Sequence, residues 1–225
     1  MVHQQTGALM AVADGVGGSQ AGEVASHLAT QILNDQFSRA AQGAPPEALM
    51  QEAFVAAHHA VMDTRRLPDT PGRDMGTTLT CAWIIQGEVV VGHAGDSRLY
   101  LLRQGAIRQL TEDHSVTGEL ARRGQITRAQ AQPHPQRHVL TNALGDRSFW
   151  VDVRTWPLEA ADLLCLCTDG LIDALDTEEV AHIILEAGVQ EGPSRLIAAA
   201  LEAGAPDDVT VLVAAVDQED VEVRA

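Results

Sequence analysis

Two periodicities divide the chain. Across 21–41 the apolar residues Val24, Leu28, Ile32 and Leu33 recur at helical spacing. After the break at "GAPP", Pro46 opens a second helical run carrying Leu49, Phe54 and Val61. Beyond the loop "LPDTPGRDMG" (67–76) the period becomes that of strands: "TTLTCAWII", "EVVVGHAG", "SRLYLLR" and "AIRQLT", joined by short turns at Gln86-Gly87 and Gln104-Gly105. Such close spacing predicts an antiparallel meander rather than β-α-β alternation. Residues 114–147 are polar and Arg-rich and read as a surface subdomain or flap, with short helices around "TGELARRG" and "TRAQAQ". Strands return at "FWVDVRTWPL" and "DLLCLCT", followed by helices near 177–187 and 193–203 and a last strand over 208–216. The opening run 8–13 reads as a buried strand. No repeat or linker divides residues 1–225, which predicts a single domain.

Three of these strands meet an aspartate at one end: Asp14 after "MAVA", Asp169 after "LCLCT", and Asp207 with Asp208 before "VTVLVAAV". A lone carboxylate there must be desolvated without compensation, which is costly. Gly15 and Gly170 follow directly, and glycine lets the backbone turn sharply and lets a ligand come close. Oxygen donors on rigid elements, with the Gly15 carbonyl as a further donor, describe a hard-cation site. Any single Asp-Gly also reads as an ordinary turn; the recurrence is what points to metal.

Charge and composition narrow the chemistry. The chain carries 31 acidic against 15 basic residues, a net charge of -16. That argues against a nucleic-acid or membrane-surface binder and suits a protein neutralised in part by divalent cations. All 15 basic residues are arginine. With no lysine, a P-loop NTPase, a protein kinase, a Schiff-base enzyme and a Ser-Lys hydrolase are excluded. "GVGGSQAGE" (15–23) fails as a phosphate loop, because Gln20 and Glu23 stand where Gly or Lys would be needed. Neither G-x-S-x-G nor H-E-x-x-H occurs, and the mid-helix pair His58-His59 points to two faces. Cys81, Cys165 and Cys167 lie in apolar runs and read as buried strand residues. With no signal peptide or membrane-length apolar run, a cytoplasmic location is expected.

Taken in order, "AVADGVGG", "GTTLT", "GHAGDSRLYLLR", "QLTEDHS", "QPHPQRHVLTNALGD", "CTDGLIDAL" and "PDDVTVLV" resemble the motifs of PP2C-type (PPM) metal-dependent Ser/Thr protein phosphatases in their compact bacterial form. The resemblance implies an α+β fold, an α-β-β-α sandwich of two antiparallel sheets flanked by helices. It implies two or three Mn²⁺ or Mg²⁺ ions in a cleft at one end. Asp14 would bridge two ions, the Gly15 carbonyl would hold the second, Asp169 and Asp207 the first, and Asp113 a looser third. The family's usual Asp-Asn is Asp207-Asp208 here, a more negative surrounding. The implied reaction is hydrolysis of phosphoserine and phosphothreonine on proteins by a metal-bridging hydroxide, with no phosphoenzyme. Asp14 and Asp169 would then be catalytic through the ions they hold. The implied substrates are phosphoproteins made by a bacterial Ser/Thr kinase.

Other motif residues carry plainer expectations. Thr77 and Thr78 should pair across strands, and Asp96 and Arg98 should hold a turn together. Arg122, Arg123 and Arg137 face either phosphopeptides or solvent. The family also has an upstream strand with a phosphate-binding Arg and an acidic metal motif, whereas only "MVHQQTG" precedes Ala8, and Val16 stands where some relatives have a histidine. That predicts either a functional start before Met1 or an impaired catalyst. A non-catalytic phosphoprotein-binding module is the alternative.

Overall fold

The structure, a computed structural model, describes residues 7–16, 19–40, 43–67 and 75–221. The Gly17-Gly18 pair, most of the 67–76 loop and the residues before Gly7 lie outside them. In chain order the elements are β1 (Ala8–Val12), β2 (Gly15–Val16), α1 (Ser19–Arg39), α2 (Pro46–Arg65), β3 (Gly76–Thr77), β4 (Leu79–Ile85), β5 (Glu88–Ala94), β6 (Arg98–Arg103) and β7 (Ala106–Gln109). There follow α3 (Val116–Arg122), α4 (Arg128–Ala131), β8 (Asp152–Pro157), β9 (Leu163–Cys167), α5 (Asp169–Ala174), α6 (Thr177–Glu202), β10 (Val211–Ala215) and α7 (Gln218–Val221).

Two four-stranded sheets, β1-β4-β5-β8 and β10-β9-β6-β7, are antiparallel throughout. A small β2-β3 ribbon stands beside them. The expected continuous meander is therefore corrected. β4-β5 and β6-β7 are hairpins of different sheets, and the chain crosses between sheets at Gly95-Asp96-Ser97. Gly95 has φ 117°, and a Cβ there would lie 2.5 Å from the Thr78 side chain, so only glycine makes this crossing. A run of period-2 residues does not say where the chain changes sheet.

Three apolar interfaces stack the layers. Val12, Ala82, Val91, Leu99, Leu164 and Leu166 fill the space between the sheets. Met50, Phe54 and Val61 of α2 pack on the outer face of the first sheet, against residues such as Cys81, Trp83 and Val90. Leu171, Val180, Ile184 and Leu196 of α5 and α6 cover the second sheet. With both faces covered, every residue of β4 is buried, which explains its unbroken apolar run. In α1 the packed stripe is Ala21, Ala25, Ala29 and Leu33, while Val24 is 40% exposed. Small residues let α1 lie close to β2, β3 and α2, so the stripe centres on alanines, offset from the bulky apolar set.

Two helices escaped the sequence pattern, α5 and α7, both too short to show a period. The helices expected near 177–187 and 193–203 run together as α6, kinked at Gly188 where φ is 67°. Cys81, Cys165 and Cys167 are buried free thiols, as expected. No helix among the described residues is long and apolar enough to cross a membrane. Within 114–147, α3 starts on a Ser115 cap, α4 on a Thr127–Gln130 capping box, and Ser115 bridges Leu140 to tie the segment's ends.

Candidate metal centre

The strand-end aspartates meet at one end of the sandwich. Asp14 follows β1, and its main chain is clamped from the neighbouring strands. Its N–H donates to Thr78 Oγ1 at 2.9 Å, and its carbonyl accepts from Thr78 N and from Thr77 Oγ1, each at 2.8 Å. Thr78 Oγ1 also pairs with Ser97 Oγ at 2.8 Å, tying the clamp to the crossing between sheets. Thr77 pairs across strands with Gly15, as expected, and beyond that the two threonines fix the Asp14 backbone.

Asp169 begins α5 directly after β9. The preceding Thr168 stitches this end to the Asp207-Asp208 loop: its Oγ1 donates to the Asp208 carbonyl at 3.2 Å and accepts from Thr210 N at 3.0 Å. The glycines serve the same convergence. A Cβ on Gly170 would stand 2.5 Å from the Asp208 carbonyl oxygen, and one on Gly15 would collide with the Gly22 backbone in α1. Sequence reasoning assigned these glycines to ligand approach; the structure uses them for chain-on-chain contact that brings the acids together.

In the resulting electrostatics the acids outweigh the cations near them. Burial first, then the Asp169 charge and a hydrogen bond with its carboxyl, raise Asp14 to a pKa of about 7; Asp207 and Asp208 add to the push. Burial and the Asp173 charge raise Asp169, which the contact with Asp14 partly offsets. Asp96, buried at the crossing, is driven well above the carboxylate range by burial and by the charges of Asp169, Asp113 and Asp14. Asp169 Oδ1 and Asp173 Oδ2 are buried without a hydrogen-bond partner. Buried oxygens left unpaired in a pool of acids call for cations, and carboxylates with a nearby backbone carbonyl are what Mn²⁺ or Mg²⁺ takes. The donor set fits.

Two residues of the 114–147 segment reach this centre. His138 places Nδ1 3.6 Å from Asp169 Oδ2 and Nε2 3.6 Å from Asp173 Oδ2, and these three side chains could converge on one ion. Arg137 Nε lies 3.6 Å from Asp173 Oδ1. Arg122 and Arg123, by contrast, are engaged with Glu112 and Glu119. Asp113 arrives already held: Arg98 grips both its oxygens, the shortest contact at 2.6 Å, and Gln109 donates to Oδ1 at 2.8 Å. Arg98 is thus the partner of Asp113, and Asp96 belongs to the acidic pool instead of serving only a turn. Sequence reasoning missed Asp173 and His138. Asp173 lies four residues from Asp169 and so shares its helix face, a readable signal had α5 been recognised; His138 needed the flap's placement.

Beside the centre sits a satisfied polar cluster. Buried His93 pairs through Nδ1 with Thr80 Oγ1 at 2.8 Å and through Nε2 with the Glu112 carbonyl at 3.1 Å. His114 meets Asp152 at 3.2 Å and Asn142 at 2.9 Å, and Asn142 bonds the Trp150 backbone, anchoring the base of the flap. Burial lowers His93 to a pKa of about 4. Of the His58-His59 pair, His59 is exposed, while His58 stacks on Phe149 at 4.3 Å and accepts from Gly145 N at 3.2 Å, bracing the far end of the 114–147 segment.

A two-sheet sandwich between helices, with acids pooled at one end, defines the fold and site of a metal-dependent phosphatase, and the chain belongs to the protein phosphatase 2C family, whose model matches residues 1–201. Its relatives include the serine/threonine phosphatase stp of Listeria welshimeri, 36% identical over 211 residues, covering 91% of this chain and 83% of the relative. Another is the serine/threonine protein phosphatase PstP of Mycobacterium tuberculosis, 37% identical over 207 residues, covering 92% of this chain and 40% of that longer protein. Among solved structures, a crystal structure of the M. tuberculosis phosphatase PstP superposes with a TM-score of 0.85 at 36% identity, covering 93% of this chain and 88% of that one. The PstP catalytic domain in complex with two manganese ions gives 0.82 at 35% identity, again covering 93% and 88%. The fold implied by the sequence resemblance is borne out.

Proposed function

We propose that Asp14, Asp169 and Asp207, with the Gly15 carbonyl, hold the divalent cations of a phosphatase that hydrolyses phosphoserine and phosphothreonine esters on proteins. The single observation that carries this reading is the Asp169 carboxylate, half-buried at a rigid strand end, with one buried oxygen unpaired, the charges of Asp173 and Asp207 pressing on it and only His138 near enough to offset them. Bound Mn²⁺ or Mg²⁺ supplies an acidified water and positive charge for the phosphoryl oxygens. The chain's own residues do the rest. Asp14 and Asp169 release the proton they share as cations enter, and the Thr77–Thr78 clamp keeps Asp14 from swinging aside. Asp113 offers a weaker position, since Arg98 and Gln109 compete for its oxygens. Arg137, alone of the three flap arginines named from the sequence, stands over the acids and is placed to meet an incoming phosphate. Residues 114–147 act as the flap of one domain spanning 1–225, and the substrates are phosphoproteins produced by a bacterial Ser/Thr kinase.

The binding-module alternative loses ground, because the family relatives named above are Ser/Thr phosphatases and the acid pool is intact. The test is hydrolysis of an aryl phosphate and of a phosphothreonine protein by the chain, with and without Mn²⁺. Turnover should require the metal and vanish in EDTA. Turnover that persists in EDTA would overturn the metal assignment, and none in Mn²⁺ would restore the binding module.

A further inference from the structure

A groove of about 930 Å³ lies between the outer strands of the two sheets, lined by Gln109 and Arg108 of β7, Arg154 of β8, Arg128 of α4, and Glu112 and Glu178 among others. β7 and β8 are edge strands, each paired on one side only. An edge left open beside a groove offers unpaired backbone groups to an extended chain. The charges in this groove run against those of the molecule. Three arginines face two glutamates here, in a chain whose net charge is -16. One of those glutamates, Glu112, is already shared between Arg154 at 3.0 Å and Arg122 at 3.2 Å. Arg108 and Arg128 are exposed and make no ion pair among the described residues. Gln109 lines the groove and also donates to Asp113, so the groove lies one side chain from the acidic end.

We propose that this groove docks an extended, carboxylate-rich segment of the phosphoprotein substrate, its acids meeting Arg108 and Arg128. The inference rests on the phosphatase reading above and adds a substrate preference to it: phosphoproteins with acidic stretches near the target residue. Binding of a labelled, unphosphorylated Asp/Glu-rich peptide to the full chain, followed by fluorescence anisotropy, tests it without needing catalysis. The exposed double variant Arg108→Glu/Arg128→Glu should weaken that binding about tenfold, the sum of two lost surface attractions turned repulsive. A Lys/Arg-rich peptide of equal length should bind the unaltered chain more weakly than the acidic one. In kinetics, KM for an acid-flanked phosphopeptide should rise by a similar factor while kcat, and both constants for an aryl phosphate, stay unchanged. Equal affinity of the two proteins for the acidic peptide would overturn the proposal. So would a matching loss on aryl phosphate, which would place these arginines in the reaction centre. Acidic-peptide binding without any hydrolysis would support the docking site and overturn the catalytic reading, so the two fail separately.

Discussion

Strand β9 has an aspartate at each end, and the two are treated in opposite ways. Asp162, 1% exposed, precedes the strand; Arg103 holds both its oxygens at 2.7 and 2.8 Å, and the Glu159 N–H adds a third bond at 2.7 Å. Asp169, just past the other end, has a buried oxygen with no partner and an acid pool around it. Seven residues apart in the sequence, one carboxylate is completed by the protein and the other keeps a buried oxygen unpaired. A finished ion pair fastens the fold, whereas an unfinished one marks where the fold is kept open for chemistry.

Removing each carboxylate should therefore give opposite results. Asp169→Asn should lower metal-dependent turnover by at least about a hundredfold, since even outer contacts of a metal ligand are worth 10–100-fold. The same variant in EDTA should melt no lower than the unaltered protein, because an uncompensated charge has been removed; a clear drop in Tm would break the comparison. Asp162→Asn should leave the metal dependence intact and cost about 1–2 kcal/mol in chemical denaturation, from the weakened pairing with Arg103, which keeps Glu159 and the Pro157 carbonyl as partners.

A smaller change sharpens how the open end is assembled. Gly170→Ala would push α5 off the Asp207-Asp208 loop, with about 1–2 kcal/mol of destabilisation and weaker Mn²⁺ binding by calorimetry. Unchanged Mn²⁺ affinity would show that the loop's approach is not what gathers the acids.

The smallest expected effect is on pH dependence in EDTA. Asp14 has a folded pKa of about 7 against 3.8 as the ordinary value, so the folded state binds the extra proton and its stability falls as pH rises from about 4 through 7. His93 acts the other way: with a folded pKa of about 4 against 6.5, it weakens the fold as pH falls through that window. Replacing Asp14 with Asn should remove the first contribution and tilt the stability profile upward with pH, by on the order of 1–2 kcal/mol after allowing for solvent around a partly exposed group. An identical profile in the two proteins would contradict the shared proton.

Much of this was legible in the sequence, for physical reasons. Asp14, Asp169 and Asp207 could be singled out because apolar strands ending in Asp are costly unless the charge is used. Nothing local tells Asp162 from these, since it too adjoins a strand; what silences it is Arg103, a partner 59 residues away. Asp96 could not be read correctly without the crossing between sheets, since "GDSR" within one sheet would be a plain turn. The threonines after Gly76 gave no hint that their hydroxyls grip the Asp14 backbone, because that contact spans 63 and 64 positions. Local period and turn chemistry travel a few residues; the pairings that convert acids into a site are long-range.

The three sulfhydryl groups lend the protein a built-in clock. Cys81, Cys165 and Cys167 are all fully enclosed in central strands; enclosure pushes the Cys81 thiol away from its reactive ionised form, and the contact with Cys167, then enclosure, does the same to Cys165. An alkylating reagent or peroxide can reach them only when a sheet comes apart. The pace of labelling therefore times excursions of the sandwich itself, and the protein's working end stays indifferent to oxidants that silence cysteine-based enzymes.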